Sequence, residues 1–425
     1  MPIIPPVKGT RDFYPEQMAF RTWLYAQVRA VSERFGYQEW EAPFLESLDL
    51  YAAKSGEELV KEQAFTLTDK GGRLLALRPE LTPSLARMIA QRAGQLAMPV
   101  RWYSFGPFWR YEQPQRGRAR EFFQWNIDLL GQEGVHADAE IVAIGVEFLR
   151  SVGLTAEQVV VKVNNRAFTR QQVIELGIPP GALTDCFNLI DRKPKMKPEA
   201  WSQYAASLGF TDAQVRAIEA MLADTEAWRA FEPLARLFAD LEAMGAADMV
   251  VFDPTIVRGL LYYTGTVFEA NDVAGEYRAI FGGGRYANLV ADVGGDPITG
   301  VGFAMGDMVI ELVLEKYGCR PQLPTTNSAV LVTLFDDAFY AEAARLATAL
   351  RRAGLNTELY LEPAKLGKQI RYAQRKTIPV VAILGEAEIA AGVVALKRLD
   401  TGEQVSVPRE QAAAQVRRWA LNTGG

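Results

Sequence analysis

The stretch Trp102–Gly131, WYSFGPFWRYEQPQRGRAREFFQWNIDLLG, decides the fold because two extended apolar arms flank a basic loop. Aromatic and aliphatic residues fill both arms, which predicts two antiparallel strands of a buried sheet. Neighbouring side chains of a strand point to opposite faces, so Gln124 and Asp128 share one face of the second arm and apolar residues take the other. The same alternation puts Arg110 and Glu112 on one face of the first arm. The hairpin therefore predicts the floor of a polar ligand pocket.

The loop between the arms contains three arginines, Arg116, Arg118 and Arg120. Guanidinium groups bind phosphates well, so the loop is a candidate site for polyanion binding. The ordinary alternative for Arg110 and Glu112 is a surface ion pair, which contributes under about 1 kcal/mol. Taken without the rest of the hairpin, that pair leaves both interpretations open.

The order of strand, Arg-x-Glu, basic loop and strand resembles motif 2 of class II aminoacyl-tRNA synthetases, and PQRGRAREFFQ is most similar to the histidyl enzymes. The resemblance implies that Arg110 holds the α-phosphate of ATP and the amino acid carboxylate, and that Glu112 faces the adenine amine. It also implies that Gln124 and Asp128 bind L-histidine, although the family more often has Glu at the position of Asp128. The three loop arginines become candidate tRNA contacts.

Length and composition argue against several other classes of protein. A chain of 425 residues has room for two or three domains, and its net charge of −5 argues against a general nucleic-acid coat. The sequence has no apolar run near the about 20 residues of a membrane span and no signal-peptide pattern at its start, so we predict a cytoplasmic protein without a membrane partner. Cys186 and Cys319 are isolated, and His136 is the only histidine. We therefore predict no metal site and no Ser-His triad, and a histidine base only if His136 itself serves.

Near the N-terminus, helical periodicity places Leu24, Val28 and Val31 on one face, and Gly36 is expected to end the helix. A strand is predicted from Tyr37 to Leu45. Its proline, Pro43, favours a position at a sheet edge or interface because proline cannot donate a ladder hydrogen bond. This helix-glycine-strand order resembles motif 1 of class II synthetases, which implies a homodimer.

The segment LRPELTPSLAR, residues 77–87, predicts a turn into a helix. Thr82 fits the N-cap position, and Pro83 fits the first helical position. The string also resembles the LRPE-x-T segment of histidyl-tRNA synthetases. That resemblance implies that Glu80 and Thr82 contact the α-ammonium group of histidine.

The string RGLLYYTGTVFE, residues 258–269, contains an arginine among apolar residues, which is costly to bury unless an anion pairs with it. It resembles a signature of histidyl-tRNA synthetases. The resemblance implies that Arg258 is catalytic, stabilises charge at the reacting phosphate and contacts histidine, and that Tyr262 and Tyr263 line the imidazole pocket. Leu261 departs from the Asp that is usual in this signature.

The glycine-rich string GGGRY, residues 282–286, fails the G-x-G-x-x-G spacing, so dinucleotide binding is rejected. It resembles a second histidyl signature, with Ala287 in place of the usual Asp. Residues 302–315 predict a strand followed by an apolar helix and resemble motif 3. The family has an arginine there that contacts the γ-phosphate of ATP, whereas this chain has Val309.

Two further segments complete the predicted architecture. Residues 167–249 change to charged helical segments and are interpreted as an inserted helical module. Residues 326–425 alternate strands and helices as a separate small α/β domain. This domain resembles the anticodon-binding domain of the family, so a basic helical flank that includes Lys368 and Arg371 becomes a candidate tRNA surface.

The sequence thus predicts an α+β protein, with a class II antiparallel sheet flanked by helices in a catalytic domain at 1–325 and an anticodon-binding domain at 326–425. The resemblance implies a histidine–tRNA ligase that uses ATP with Mg²⁺ and charges tRNA(His). The alternative is a catalytically silent paralogue that senses histidine. The departures at Leu261, Ala287 and Val309 favour the sensor, and the basic C-terminal domain with the arginine-rich loop disfavours it.

Overall fold

The computed structural model describes residues 3–52, 62–257, 263–288 and 290–421. The chain divides into two compact units, Met1–Asp12 with Trp23–Arg320 and Phe13–Thr22 with Pro321–Gly425. Across the described ranges, no helix is both long enough and apolar enough to cross a membrane.

Up to residue 320, the strands are β1 (Gln38–Glu39), β2 (Leu45–Ser47), β3 (Phe65–Thr68), β4 (Leu74–Leu77), β5 (Val100–Trp109), β6 (Glu121–Leu130), β7 (Val159–Asn165), β8 (Val250–Phe252), β9 (Tyr263–Asp272), β10 (Phe281–Tyr286) and β11 (Gly300–Gly306). The helices of the same stretch are α1 (Pro15–Arg34), α2 (Leu48–Ala52), α3 (Thr82–Arg92), α4 (Val135–Ser151), α5 (Arg166–Glu175), α6 (Leu183–Arg192), α7 (Pro198–Ser207), α8 (Asp212–Ala223), α9 (Glu232–Ala243) and α10 (Asp307–Lys316).

An eight-stranded sheet forms the centre of the first unit, in the order β1-β5-β6-β11-β10-β9-β7-β8. All neighbours in it are antiparallel except β1 with β5 and β7 with β8. The quoted hairpin is β5 with β6, paired from Val100 opposite Leu130 to Trp109 opposite Glu121. The predicted α+β class with a large antiparallel sheet is confirmed. Arg110 and Glu112, however, lie just beyond the end of β5, in the connection to β6.

The two faces of β6 follow the predicted alternation. Phe123, Trp125, Ile127 and Leu129 are buried, at no more than 5% exposure, and Trp125 packs edge-on against Phe303. The opposite face carries the polar side chains. Burial of one apolar face fixes the register, because a slip by one residue would move every polar group of the strand into the core.

The N-terminal helix ends as expected, but the strand after it does not form as predicted. Gly36 has a φ of 81°, the left-handed conformation that suits a glycine after a helix. The predicted strand Tyr37–Leu45 is instead two short pieces, with β1 at the edge of the large sheet and β2 in a separate three-stranded sheet. Pro43 lies between them, where its missing N–H interrupts no ladder.

Glycines allow the central strands to approach closely. A Cβ on Gly283 would overlap the carbonyl oxygen of Gly302 on β11. A Cβ on Gly302 would overlap the Asp128 carboxylate on β6. The GGGRY string is therefore a strand in the middle of the sheet, and its glycines remove side-chain volume above neighbouring strands.

Helices α5–α9 occupy the stretch 167–249, where the helical module was expected. The apolar faces of α5–α8 share a core that includes Val173, Leu189, Trp201 and Ile218. The Trp201 indole N–H donates to the Leu189 carbonyl oxygen at 2.7 Å, so its polar atom is satisfied inside the core.

The second unit contains the strands β12 (Val330–Val332), β13 (Thr357–Leu359), β14 (Val380–Ile383), β15 (Val393–Arg398) and β16 (Gln404–Pro408), and the helices α11 (Tyr340–Arg352), α12 (Leu366–Arg375), α13 (Glu386–Ala391) and α14 (Ala412–Leu421). Its sheet has the order β13-β12-β14-β15-β16. The strands up to β14 were predicted. The antiparallel pair β15 and β16 was missed. No residue of β16 is fully buried, so its pattern is weak, whereas the apolar run 393–396 of β15 was overlooked.

Candidate active site

A cleft of about 1020 Å³ opens beside the large sheet of the first unit. Its polar lining comes from the β5–β6 connection, from β6, β7 and β9, from the loop between β9 and β10, from the end of α6 and the turn after it, from the segment after β8 and from the start of α10; these residues are Arg110, Glu112, Arg118, Gln124, Lys162, Asp191, Lys195, Thr255, Glu269, Asn271, Asp272, Tyr277, Arg278 and Asp307. Four residues predicted from the sequence, Arg110, Glu112, Arg118 and Gln124, therefore share one cleft. Val309, at the start of α10, also lines it.

In the β5–β6 connection, Arg118 forms an ion pair with the Glu112 carboxylate. Burial, together with the positive charges of Arg278 and Arg110, lowers the pKa of Arg118 from its ordinary value. Three guanidinium groups thus act on one another in the cleft. Guanidinium groups held close together in this way can bind phosphate groups.

The other two arginines of the connection rest on aromatic rings. Arg120 lies 3.9 Å from the centre of the Tyr111 ring and donates through Nε to the Glu112 carbonyl oxygen at 3.1 Å. Arg116 lies 5.3 Å from the centre of the Tyr277 ring. The loop arginines are thus held on three different partners within the fold, and their tRNA contact remains a prediction.

Arg110 is attached to the segment that leads into α3. Its Nε donates to the Pro79 carbonyl oxygen at 2.8 Å. The preceding residue, Arg78, is fully buried, pairs with Glu41 and donates through Nε to the Pro107 carbonyl oxygen at 2.9 Å. These bonds fix Glu80 and its neighbours against the end of β5, a role for Arg78 that the sequence did not suggest.

The expected cap of α3 is wrong. The N-cap residue is Leu81, no side chain caps the helix, and Thr82 is already the first helical residue. The Thr82 side chain therefore does not serve as the N-cap. Glu80 and Thr82 do not line the cleft described above, and their contact with histidine remains a prediction.

Asp128 and Tyr263 lie away from the cleft, on the strands that flank β10 and β11. Asp128 accepts a hydrogen bond from the Tyr286 hydroxyl at 2.6 Å. Burial raises the pKa of Asp128 to about 7, and the hydrogen bond from Tyr286 opposes the rise. Tyr263 is 8% exposed and pairs with Tyr286 across β9 and β10. A carboxyl that titrates near neutral pH is suited to recognise a group that does the same, such as an imidazole.

The arginine of the GGGRY string is structural. Arg285 pairs with Asp138 at 2.7 Å and donates to the Gly134 carbonyl oxygen at 2.8 Å. Asp138 also accepts from the Thr266 hydroxyl at 2.6 Å. The network ties β9 and β10 to the start of α4, and Arg285 is absent from the cleft lining.

Val309 is covered by the β5–β6 connection. A Cβ on Gly117 would lie 3.6 Å from Val309 Cγ2 and 3.6 Å from Leu312 Cδ1, which places the connection in ordinary contact distance of α10. Asp307, at the start of α10, pairs with Arg11 at 2.8 Å and accepts from the Phe123 N–H at 3.0 Å. The position where the family has an arginine is thus an apolar packing site.

Sequence reasoning missed several polar cleft residues, among them Lys162, Glu269, Asn271 and Arg278. Glu269 and Asn271 are two apart on β9, and the Asn271 amide donates to Glu269 at 3.1 Å. The only signal was the i, i+2 spacing of polar residues at the end of the TVFE string. Arg278 lies in a loop without recognisable spacing, so it gave no signal.

The remaining predicted residues lie elsewhere. Arg258, Leu261 and Tyr262 lie outside the described residues, and their roles remain predictions. The Nδ1 atom of His136 is hydrogen-bonded to the Asp240 carboxylate at 2.6 Å, and His136 is not part of the cleft. Among the residues with described positions, no group of three or more His, Cys, Asp or Glu side chains could hold a metal ion.

In the second unit, α12 carries the basic residues predicted to contact tRNA. Lys368 and Arg371 are exposed on this helix. Lys376, just after it, pairs with Glu358 at 2.8 Å. The two exposed cations therefore remain the better candidates for an RNA contact.

Comparisons with known proteins agree on one family. A family model described as histidyl-tRNA synthetase matches residues 9–308, and one described as anticodon binding domain matches residues 328–419. The histidine–tRNA ligase of Leptospira biflexa is 34% identical over 424 residues, 96% of each chain. The chloroplastic/mitochondrial histidine–tRNA ligase of Arabidopsis thaliana is 38% identical over 415 residues, 95% of this chain and 84% of that protein. The crystal structure of histidyl-tRNA synthetase from Nostoc sp. PCC 7120 matches with a TM-score of 0.86 and 26% identity, covering 99% of this chain and all of that one.

Proposed function

Because the chain belongs to the histidyl-tRNA synthetase family, we propose that it is a histidine–tRNA ligase, which activates L-histidine with ATP and transfers it to tRNA(His). The observation that carries the proposal is the cleft in which Arg110, Glu112, Arg118 and Gln124 converge. The histidine carboxylate attacks the α-phosphorus of ATP, pyrophosphate leaves, and the tRNA ribose then takes the histidyl group.

The cleft suits a reaction that needs positioning and charge stabilisation rather than a histidine base. Arg110 is held by the Pro79 carbonyl oxygen and faces the space where the α-phosphate would bind. Fixed cations in a site shielded from bulk water stabilise the charge that develops on a phosphoryl group. Arg258 would act on the same phosphate, and Glu112 would face the adenine once it separates from Arg118.

The residues present fit a magnesium ion that accompanies ATP. Glu269 and Asn271 lie two apart on β9, and both line the cleft. The amide oxygen of Asn271 is buried, and within the part of the chain that the structure describes it has no hydrogen-bond donor. Carboxylate and amide oxygens are hard ligands of the kind Mg²⁺ prefers, and the ion, when bound, would neutralise phosphate charge. Glu269 and Asn271 would hold it on the sheet side of the cleft.

We assign the recognition of the histidine substrate to a second set of residues. Asp128 would accept the imidazole, with Tyr262 and Tyr263 beside it, and Glu80 and Thr82 would bind the α-ammonium group. The hydrogen bond from Tyr286 orients the Asp128 carboxylate, which supports this assignment.

The regulatory histidine sensor is not favoured. The curated relatives from Leptospira biflexa and Arabidopsis thaliana, which match almost the whole chain, are named histidine–tRNA ligases, and the chain includes a match to an anticodon binding domain. A protein that only senses histidine needs no surface for an anticodon. The departure at Val309 gives the sensor little support, since Arg110, Arg118 and Arg278 line the cleft.

The direct test is histidine-dependent exchange of pyrophosphate into ATP by the unaltered protein with Mg²⁺. We expect exchange with L-histidine and none without it. Histidine binding without any exchange would overturn the ligase proposal and support the sensor.

Further proposals concern organisation. We assign the catalytic domain to residues 1–325, with the helical module at 167–249, and the anticodon-binding domain to residues 326–425. A homodimer built on the α1–β1 region is supported by the position of β1 at an edge of the large sheet. Since tRNA charging serves protein synthesis, the proposed site of action is the cytoplasm.

The proposed tRNA surface on α12 gives a prediction for Lys368→Ala combined with Arg371→Ala. Removing two phosphate contacts should weaken tRNA binding and reduce the salt dependence by about two counterions. The tRNA concentration needed for charging should therefore rise, while histidine-dependent pyrophosphate exchange stays unchanged. The measurement is aminoacylation at several salt concentrations.

The matched control for this pair is Arg345→Ala, which removes an exposed arginine of α11 that is paired with Glu342. It should leave both reactions unchanged. An unaltered tRNA requirement in the double variant would reject the assignment of α12.

A further inference from the structure

Arg278 lies in the loop between β9 and β10 and enters the cleft. Its side chain is exposed, and among the described residues it has no ion pair and no hydrogen bond. The other cations of the cleft differ in this respect, since Arg118 pairs with Glu112 and Lys162 pairs with Asp253. An arginine presented to a cleft without a carboxylate partner is available to an anionic ligand.

The loop that carries Arg278 is anchored to its surroundings. The Asp272 carboxylate, which is fully buried, accepts from the backbone N–H of Glu276 at 3.2 Å and of Tyr277 at 3.1 Å. Lys316 of α10 pairs with Asp272 at 2.9 Å and with Glu276 at 3.1 Å. At the far end, the Ile280 N–H donates to the Ala270 carbonyl oxygen at 2.7 Å. A side chain on such a loop starts from a fixed backbone, which lowers the entropic cost of binding.

The loop also touches the β5–β6 connection. The Tyr277 hydroxyl accepts from Arg116 Nη2 at 3.3 Å. The next residue of the connection, Gly117, is the one that covers Val309. Arg278 thus belongs to a continuous run of contacts that ends on the helix position where the family has its γ-phosphate arginine.

Val309 lines the cleft but cannot supply a charge there. Arg118 and Arg278 line the same cleft, and the charge of Arg278 contributes, after burial, to the lowered pKa of Arg118. Like charges held together in a cleft repel one another, and a bound polyphosphate relieves that repulsion.

We propose that Arg278 binds the terminal phosphates of ATP and takes over the task of the missing arginine at position 309. This rests on the proposed function only in naming ATP as the ligand. The guanidinium of Arg278 contacts phosphate oxygens, and Arg110 remains at the α-phosphate.

The test compares ATP and AMP binding, each with Mg²⁺, to the unaltered protein and to Arg278→Ala by calorimetry. Loss of a charge-assisted hydrogen bond should weaken ATP binding about ten- to hundredfold. AMP binding should not change, because AMP lacks the terminal phosphates. Arg278→Lys keeps the charge but loses the fork geometry, so it should restore ATP binding in part.

The control is Arg236→Ala, which removes an exposed arginine of α9 paired with Glu232 at 3.5 Å. It should bind both nucleotides normally. Equal loss of ATP and AMP in Arg278→Ala would assign a structural role to the loop, and unchanged ATP binding would overturn the inference. An unaltered protein that binds ATP but exchanges no pyrophosphate rejects the ligase proposal alone, whereas one that binds neither nucleotide rejects both.

Discussion

Replacing Arg110 by alanine should lower histidine-dependent pyrophosphate exchange about a hundred- to thousandfold, the usual cost of removing one donor that stabilises transition-state charge. Arg110 lies at the end of β5 and donates to the Pro79 carbonyl oxygen, so its guanidinium has a fixed starting position. The loss should fall mainly on the rate of adenylate formation and less on the affinity for histidine. Exchange kinetics at varied ATP and histidine concentrations measure both.

Two controls separate catalysis from stability in the Arg110 experiment. Arg110→Lys keeps a positive charge without the planar fork and should recover only part of the rate. Arg150→Ala also removes an arginine that donates to a backbone carbonyl, that of Gly245 at 2.7 Å. Arg150 differs from Arg110 in that it does not line the cleft. This variant should leave the exchange rate of folded protein unchanged. If Arg110→Ala lowers only the unfolding temperature, Arg110 is a structural residue.

Period-two alternation made the hairpin predictable, because β5 and β6 pair along ten residues and bury one continuous apolar face. Strands that bury few side chains do not show this alternation clearly. Strand β16 alternates between exposed and partly buried residues, and β1 has two exposed residues. Pro43 was expected within an edge strand but lies in none, because the predicted strand breaks there and two different sheets take up its two ends.

The site was predictable only where function requires particular residues close together in the chain. Arg110, Glu112 and Gln124 lie within one hairpin, so a local pattern could identify them. Arg278 reaches the same cleft through a loop positioned by a buried carboxylate, and no local pattern describes that long-range arrangement. Conversely, Arg118 looked like a free loop cation, whereas its pairing with Glu112 depends on how the connection turns back.

The carboxyl group of Asp128 should make the protein less stable at pH 8 than an Asp128→Asn variant. Burial raises the pKa of Asp128 from 3.8 to about 7 in the folded state. Below pH 3.8 the group is protonated in both states and costs nothing. As the pH rises toward 7, the unfolded chain ionises while the folded protein holds its proton, so stability falls until the pH exceeds the folded pKa. Between pH 5 and pH 8 the loss should be about 3 kcal/mol.

Urea unfolding at pH 5 and pH 8 measures this difference. Asparagine has nearly the same shape and can still accept the Tyr286 hydrogen bond, but it has no charge to desolvate. The gain of Asp128→Asn over the unaltered protein should therefore grow with pH, and its affinity for histidine should fall if the carboxylate binds the imidazole. Asp296→Asn, which changes an exposed carboxylate, should show no such growth. A gain that is the same at both pH values would mean that Asp128 ionises normally in the folded protein, and the matching of its pKa to the imidazole would then lose its physical basis.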